Sequence, residues 1–215
     1  MEYQKAMDLI LKTGIVAIIR AQRSEQLLAA ADAVLAGGVQ AIEVTMTTPD
    51  ALDVIKQATE RYGNEVLFGV GSVLDGETAR SALLAGAQFV VCPTLNIETI
   101  EVCKRYSVPV MPGAYTPTEI LTAWEAGADI VKVFPASVGG PAYIKALKGP
   151  LPQVRLAAVG GVKVENTADF FRAGVSVVGV GGELVNQALL DEKDFTTITQ
   201  RAKQFRDQVQ LGQKG

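Results

Sequence analysis

The chain has 215 residues, 48% hydrophobic and 20% charged, with a mean hydropathy of +0.23. Twenty basic against 23 acidic residues leave a formal charge of −3, so no broad positive field points to nucleic acid or an anionic membrane surface. There are no histidines, which excludes Ser-His-Asp and Cys-His triads and any zinc site built on imidazole.

The first residues, "MEYQKAMDLILKTG", predict a short amphipathic helix ending near Gly14, with neither the apolar run nor the cleavage site of a signal peptide. No stretch approaches about 18 uninterrupted apolar residues, so the expected location is the cytoplasm. "GIVAIIR" (14–20) reads as a strand, and 23–36 as a helix with Leu27, Leu28, Ala31, Val34 and Leu35 on one face. A second strand ends "LAGGVQAIEV" (35–44), a helix spans 49–62, "LFGVGSV" (67–73) is a third strand, and 76–85 is again helical. "LAGAQFVV" (84–91) leads into the fourth strand and "VPVMPGA" (108–114) forms the fifth. Cys92 and Cys103 show no CxxC or zinc-ligand spacing and suit a reducing compartment. Thr116-Pro117-Thr118-Glu119 carries the marks of a helix entrance, with proline in the first turn and glutamate three residues after the threonine. "EAGADIVKV" (125–133), "VRLAAVG" (154–160) and "RAGVSVVGV" (172–180) complete eight strands.

Four of these segments repeat one pattern: an Ala-Gly helix ending that runs directly into a hydrophobic strand, at intervals of roughly 40 to 50 residues. Eight βα units whose strands mostly lack alternation predict a parallel sheet covered by helices. The fourfold recurrence favours closure over an open doubly wound sheet, so the expected fold is a single (β/α)8 TIM barrel over residues 1–215 with a short N-terminal helix.

Aligned on the last glycine before each strand, the repeat brings Glu43, Val91, Lys132 and Gly179 to one position on the second, fourth, sixth and eighth strands. Alternate strands supply one interior layer of such a barrel, so Lys132 and Glu43 are expected to face each other across its axis. Lysine is rarely buried without a partner or a use. Desolvation turns it into a neutral amine able to attack a carbonyl, with a nearby carboxylate as base. The structural alternatives are a satisfied buried ion pair or a lysine on the helix-facing side of its strand. Two glycine clusters, "VGGV" (159–162) and "GVGGE" (179–183), follow the last two strands, where such barrels commonly hold an anion on backbone amides. A third, "GVGS" (69–72), is equally suited to turns and close packing. Arg20, at the end of the first strand, is a candidate partner for a carboxylate or phosphate. Lys145 and Lys148 are expected on a solvated helix face.

Together "AIEVTMTTP", "GVGSV", "VVCP", "MPGAYTPTE", "VKVFPA", "IKALKGPLPQVRL" and "GGV" resemble, in order and spacing, the 2-keto-3-deoxy-6-phosphogluconate / 4-hydroxy-2-oxoglutarate aldolase family. The resemblance implies a class I aldolase that splits a 2-keto-4-hydroxy acid into pyruvate and an aldehyde without metal or cofactor. It places the Schiff-base role on Lys132 and proton shuttling on Glu43. It also implies that Arg20 and Ser72 contact the keto-acid end, that Pro93 and Phe134 shape the pocket, and that Gly160, Gly161 and Gly181 line a phosphate site. A homotrimer is implied as well. The chain departs from the family pattern at Val159, where threonine is usual, and at Gly182, where serine is frequent. Thr47 stands where many members have arginine, and Ser72 replaces a threonine while keeping the hydroxyl. The rival readings are a phosphosugar isomerase or epimerase on the same barrel, and a non-catalytic ligand-binding barrel.

Overall fold

Strand and helix alternate along nearly the whole chain in the computed structural model, which describes residues 2–214. The elements are α1 (Tyr3–Thr13), β1 (Ile15–Ile19), α2 (Ser24–Ala36), β2 (Ala41–Thr45), α3 (Ala51–Tyr62), β3 (Leu67–Gly71), α4 (Gly76–Leu84), β4 (Val90–Val91) and α5 (Ile97–Arg105). They continue with β5 (Val110–Met111), β6 (Gly113–Ala114), α6 (Pro117–Glu125), β7 (Val131–Val133), a 3-10 turn at Ala136–Val138 and α7 (Gly140–Lys148). The last are β8 (Leu156–Val159), α8 (Val164–Arg172), β9 (Val177–Val180), α9 (Gln187–Asp191) and α10 (Phe195–Gln213).

The strands pair in parallel in the order β5-β4-β3-β2-β1-β9-β8-β7-β6. Because β5 and β6 are separated only by Pro112, the two ends of that order meet, and the sheet forms a nearly closed barrel rather than an open one. The expected fifth strand is therefore present in two pieces. Proline has no N–H for the ladder, although the Pro112 carbonyl still accepts from the Lys132 amide at 2.9 Å.

Local chemistry explains the boundaries. The four repeat glycines, Gly38, Gly86, Gly127 and Gly174, have φ of 86°, 105°, 98° and 106°, a backbone shape that a side chain would strain. The helix expected from residue 49 begins at Ala51, because Asp50 takes a left-handed turn just before it. At α6 the capping box is complete: Thr116 accepts the Glu119 amide, and the Glu119 carboxylate accepts the Thr116 amide at 2.7 Å.

Two apolar cores result. One lies between the barrel and its helices. The other fills the barrel itself, where Val16, Ile18, Phe89, Val91 and Ile130 meet Ala6, Met7 and Ile10 of α1. The N-terminal helix thus stops the end of the barrel at which the strands begin. Tyr3 fastens it by donating a hydrogen bond to Asp129, which also takes the Lys104 ammonium at 2.9 Å and the Val110 amide at 2.9 Å.

One expectation needs correcting. Lys145 is exposed, but the Lys148 ammonium turns back to the carbonyls of Pro152 and Val154 at 2.7 and 2.8 Å, so it ties down the loop after α7. Among the described residues, no helix is long and apolar enough to cross a membrane.

Candidate active site

Glu43 and Lys132 occupy the middle of β2 and β7, 3% and 5% exposed. Three strands, β1, β9 and β8, lie between β2 and β7 on one side of the ring, and β3, β4 and the split strand lie on the other. The two residues therefore project from opposite walls. With Val91 and Gly179 they line one narrow interior cavity, whose remaining wall comes from Val16, Met111, Ala157, Val159 and Val177. All four residues aligned by the glycine repeat thus share one space.

Their charged ends do not meet in an ion pair; among the described residues the ion pairs are Arg61–Asp32, Lys104–Asp129 and Arg172–Asp169. Burial pushes the Lys132 pKa below the ordinary lysine value, and the Glu43 charge only partly opposes this. Burial likewise pushes the Glu43 carboxyl up, against the attraction of Lys132 and Arg20. Desolvation dominates at both groups, so burial disfavours the charged form of each. The Lys132 amine lies 4.8 Å from the centre of the Phe134 ring, which is 38% exposed.

The "GVGS" glycines give this arrangement its space. A Cβ on Gly71 would lie 1.7 Å from a Glu43 carboxylate oxygen, and one on Gly69 would lie 2.5 Å from the Phe89 ring. Glu43 thus rests in room that only glycine leaves.

At the ends of the strands, Arg20, Phe134, Gly160, Gly161, Gly181 and Gly182 line a second, open cavity together with Glu183. The Arg20 guanidinium lies against Gly181, 3.3 Å from where a Cβ would stand, and makes no ion pair among the described residues. Gly160 and Gly161 have φ of 90° and 75°, and a Cβ on Gly161 would run into Ser137 at 2.4 Å. Among the described residues, the amides of Gly160, Gly161 and Gly182 have no protein acceptor, so they can donate to a ligand.

Ser72 and Pro93 stand on the same rim, after β3 and β4, but line neither cavity. Ser72 takes a left-handed backbone, φ 59°, and Pro93 turns its carbonyl toward Gly113, where a Cβ would come within 2.3 Å. Met111, Ala157 and Glu183 were not anticipated. Met111 belongs to a strand outside the fourfold repeat. Glu183 was visible as the last letter of "GVGGE", a carboxylate inside a loop expected to take an anion. Both cysteines are free and buried, and burial pushes their thiols up to about 12.

A family model described as "KDPG and KHG aldolase" matches residues 7–201. The chain belongs to the KDPG and KHG aldolase family. A 2-dehydro-3-deoxy-6-phosphogalactonate aldolase of Escherichia coli (strain K12) is 36% identical over 200 residues, covering 93% of this chain and 98% of its own. A solved structure described as native KDPGal superposes with a TM-score of 0.88 at 34% identity, covering 94% of this chain and 96% of the other. A KDPG aldolase from Legionella pneumophila, captured with pyruvate as a covalent carbinolamine intermediate, has a TM-score of 0.86 at 26% identity, covering 92% and 96%. The family's members are named aldolases, that is, carbon–carbon lyases.

Proposed function

We propose that this member of the KDPG and KHG aldolase family reversibly cleaves a 2-keto-4-hydroxy acid to pyruvate and an aldehyde through a Schiff base on Lys132. The observation that carries the residue assignment is the unpaired, desolvated lysine facing a buried glutamate across a narrow cavity inside the barrel. The Lys132 amine adds to the C2 carbonyl, and the resulting carbinolamine loses water to give a protonated imine. Glu43, directly or through a water, takes the proton of the C4 hydroxyl as the C3–C4 bond breaks. The bonding pair moves into the imine to form an enamine, and the aldehyde leaves. Protonation of C3 and hydrolysis of the imine then return the amine and release pyruvate. The imine is the electron sink, so the sequence of steps requires no metal or organic cofactor. Arg20 and Ser72 serve the keto-acid end, Pro93 and Phe134 shape the pocket, and Gly160, Gly161 and Gly181 hold the far end of the substrate. The isomerase and epimerase reading leaves Lys132 without a task.

Incubation with pyruvate and borohydride, followed by digestion and mass spectrometry, tests this. The expected result is a reduced adduct on the peptide carrying Lys132, absent in Lys132→Ala. Glu43→Gln should still trap pyruvate while losing about 10²- to 10⁴-fold in cleavage rate. Absence of the adduct, under conditions that trap another class I aldolase, rejects the mechanism.

The family resemblance supports a homotrimer, for which Leu74, Leu84 and Val138, 59%, 71% and 72% exposed, offer apolar surface. The free cysteines support a cytoplasmic setting. Light scattering coupled to size exclusion should give three times the 22.7 kDa chain mass; a monomer peak would remove the trimer.

A further inference from the structure

Asn166 does not line the strand-end cavity, yet its side chain spans the loop that does. Half-buried on the first turn of α8, it makes two hydrogen bonds: Nδ2 donates to the Gly161 carbonyl at 3.0 Å, and Oδ1 accepts the Lys163 amide at 2.8 Å. The second bond caps α8, whose Lys163 carbonyl is held in turn by the Thr167 amide and hydroxyl. The first bond has no part in the helix. It fixes the direction of the peptide that joins Gly161 to Val162. That peptide is trans, and in a trans peptide the carbonyl and the amide point opposite ways. With the carbonyl turned to Asn166, the Val162 N–H points away from it. Val162 lines the strand-end cavity, and among the described residues its amide has no protein acceptor.

The backbone by itself would not hold this direction. Gly160 and Gly161 both have positive φ, and glycine passes between conformations at little steric cost. Among the described residues, no other side chain hydrogen-bonds to residues 160–162. A half-turn of the peptide would present a carbonyl oxygen to the cavity, an acceptor where a substrate's far end brings oxygens of its own. We propose that Asn166 is a positioning residue: by holding the Gly161 carbonyl it aims the Val162 N–H into the cavity, where that amide joins those of Gly160 and Gly161 as a donor to the far end of the substrate. The proposal rests on the aldolase reading, in which this loop holds that end, and adds the residue that sets the loop's direction.

The test separates the two bonds. Asn166→Asp keeps an acceptor for the Lys163 amide and suits the first turn of a helix, but it cannot donate to the Gly161 carbonyl. Its thermal midpoint should equal or exceed the wild-type value. With a 2-keto-3-deoxyhexonate 6-phosphate as substrate, in both C4 epimers, its KM should rise about tenfold or more while kcat stays within about twofold. The rise should persist as salt is added, whereas repulsion by the new carboxylate would be screened. Exchange of pyruvate methyl protons with deuterated solvent needs only the Lys132 end, and should keep the wild-type rate. Asn166→Ala should show the same KM change with a lower midpoint, because it loses both bonds. A wild-type KM in Asn166→Asp overturns the proposal, and so does pyruvate exchange that falls in step with cleavage. A wild type that exchanges pyruvate but cleaves neither epimer overturns it too, and leaves the Schiff-base reading standing. A wild type that neither exchanges pyruvate nor traps it on Lys132 removes both.

Discussion

Gly71 owes its place to the neighbouring strand: the Glu43 carboxyl group fills the space its side chain would take. Glu43 and Lys132 are both held in the wall of the barrel where charge is unwelcome. The cost has a measurable sign at Lys132. Its folded pKa is depressed by burial, so between that value and the ordinary 10.5 the unfolded chain binds a proton that the folded chain does not. Wild-type stability should therefore rise with pH across this window by about 1.4 kcal/mol per pH unit beyond the slope of Lys132→Met. Below the window the wild type is the less stable of the two, and the gap closes as pH approaches 10.5. Urea denaturation of both proteins across this range measures the difference, and parallel slopes would show that the amine is not desolvated. Lys132 and Glu43 were legible in the sequence because each stands five residues after a repeat glycine. Glu183 and Met111 were not, because whether a loop or barrel-wall residue faces the cavity depends on local backbone direction, which no repeat specified.

Among the elements, α1 shows how far periodicity reaches. Its extent and its end at Gly14 were readable from the apolar face and the glycine, which has φ 66°. Its destination was not: an amphipathic helix does not announce which surface it covers. In the fold its buried side chains join the barrel interior, with Ile10 wholly enclosed. Ile10→Ala should cost about 2–5 kcal/mol, as a large-to-small change in a packed core does. Chemical denaturation checks this; a loss below about 1 kcal/mol would mean the helix is loosely seated. The fifth strand teaches the complementary lesson. Its apolar letters predicted one strand, but Pro112 withholds a ladder donor and divides it. Only the pairing of β5 with β4 and of β6 with β7 shows that the ring survives the break.

For the molecule as a whole, the alternation of eight strands with helices indicated a parallel sheet, and the fourfold recurrence favoured closure into a barrel because the edge strands of an open sheet should look different. What stayed out of reach was the difference between its two ends. The strand-end side opens between Phe134 and the glycine loops, while α1 stops the other with Ala6, Met7 and Ile10. The barrel is therefore a vessel with a single neck, and traffic through it has an order. On the mechanism proposed above, of two fragments made at Lys132 the one nearer the neck departs before the one still bound to the amine can follow. On that mechanism the synthetic direction takes pyruvate as the first guest and the aldehyde as the second, an order that the stopper at the far end enforces without touching either molecule.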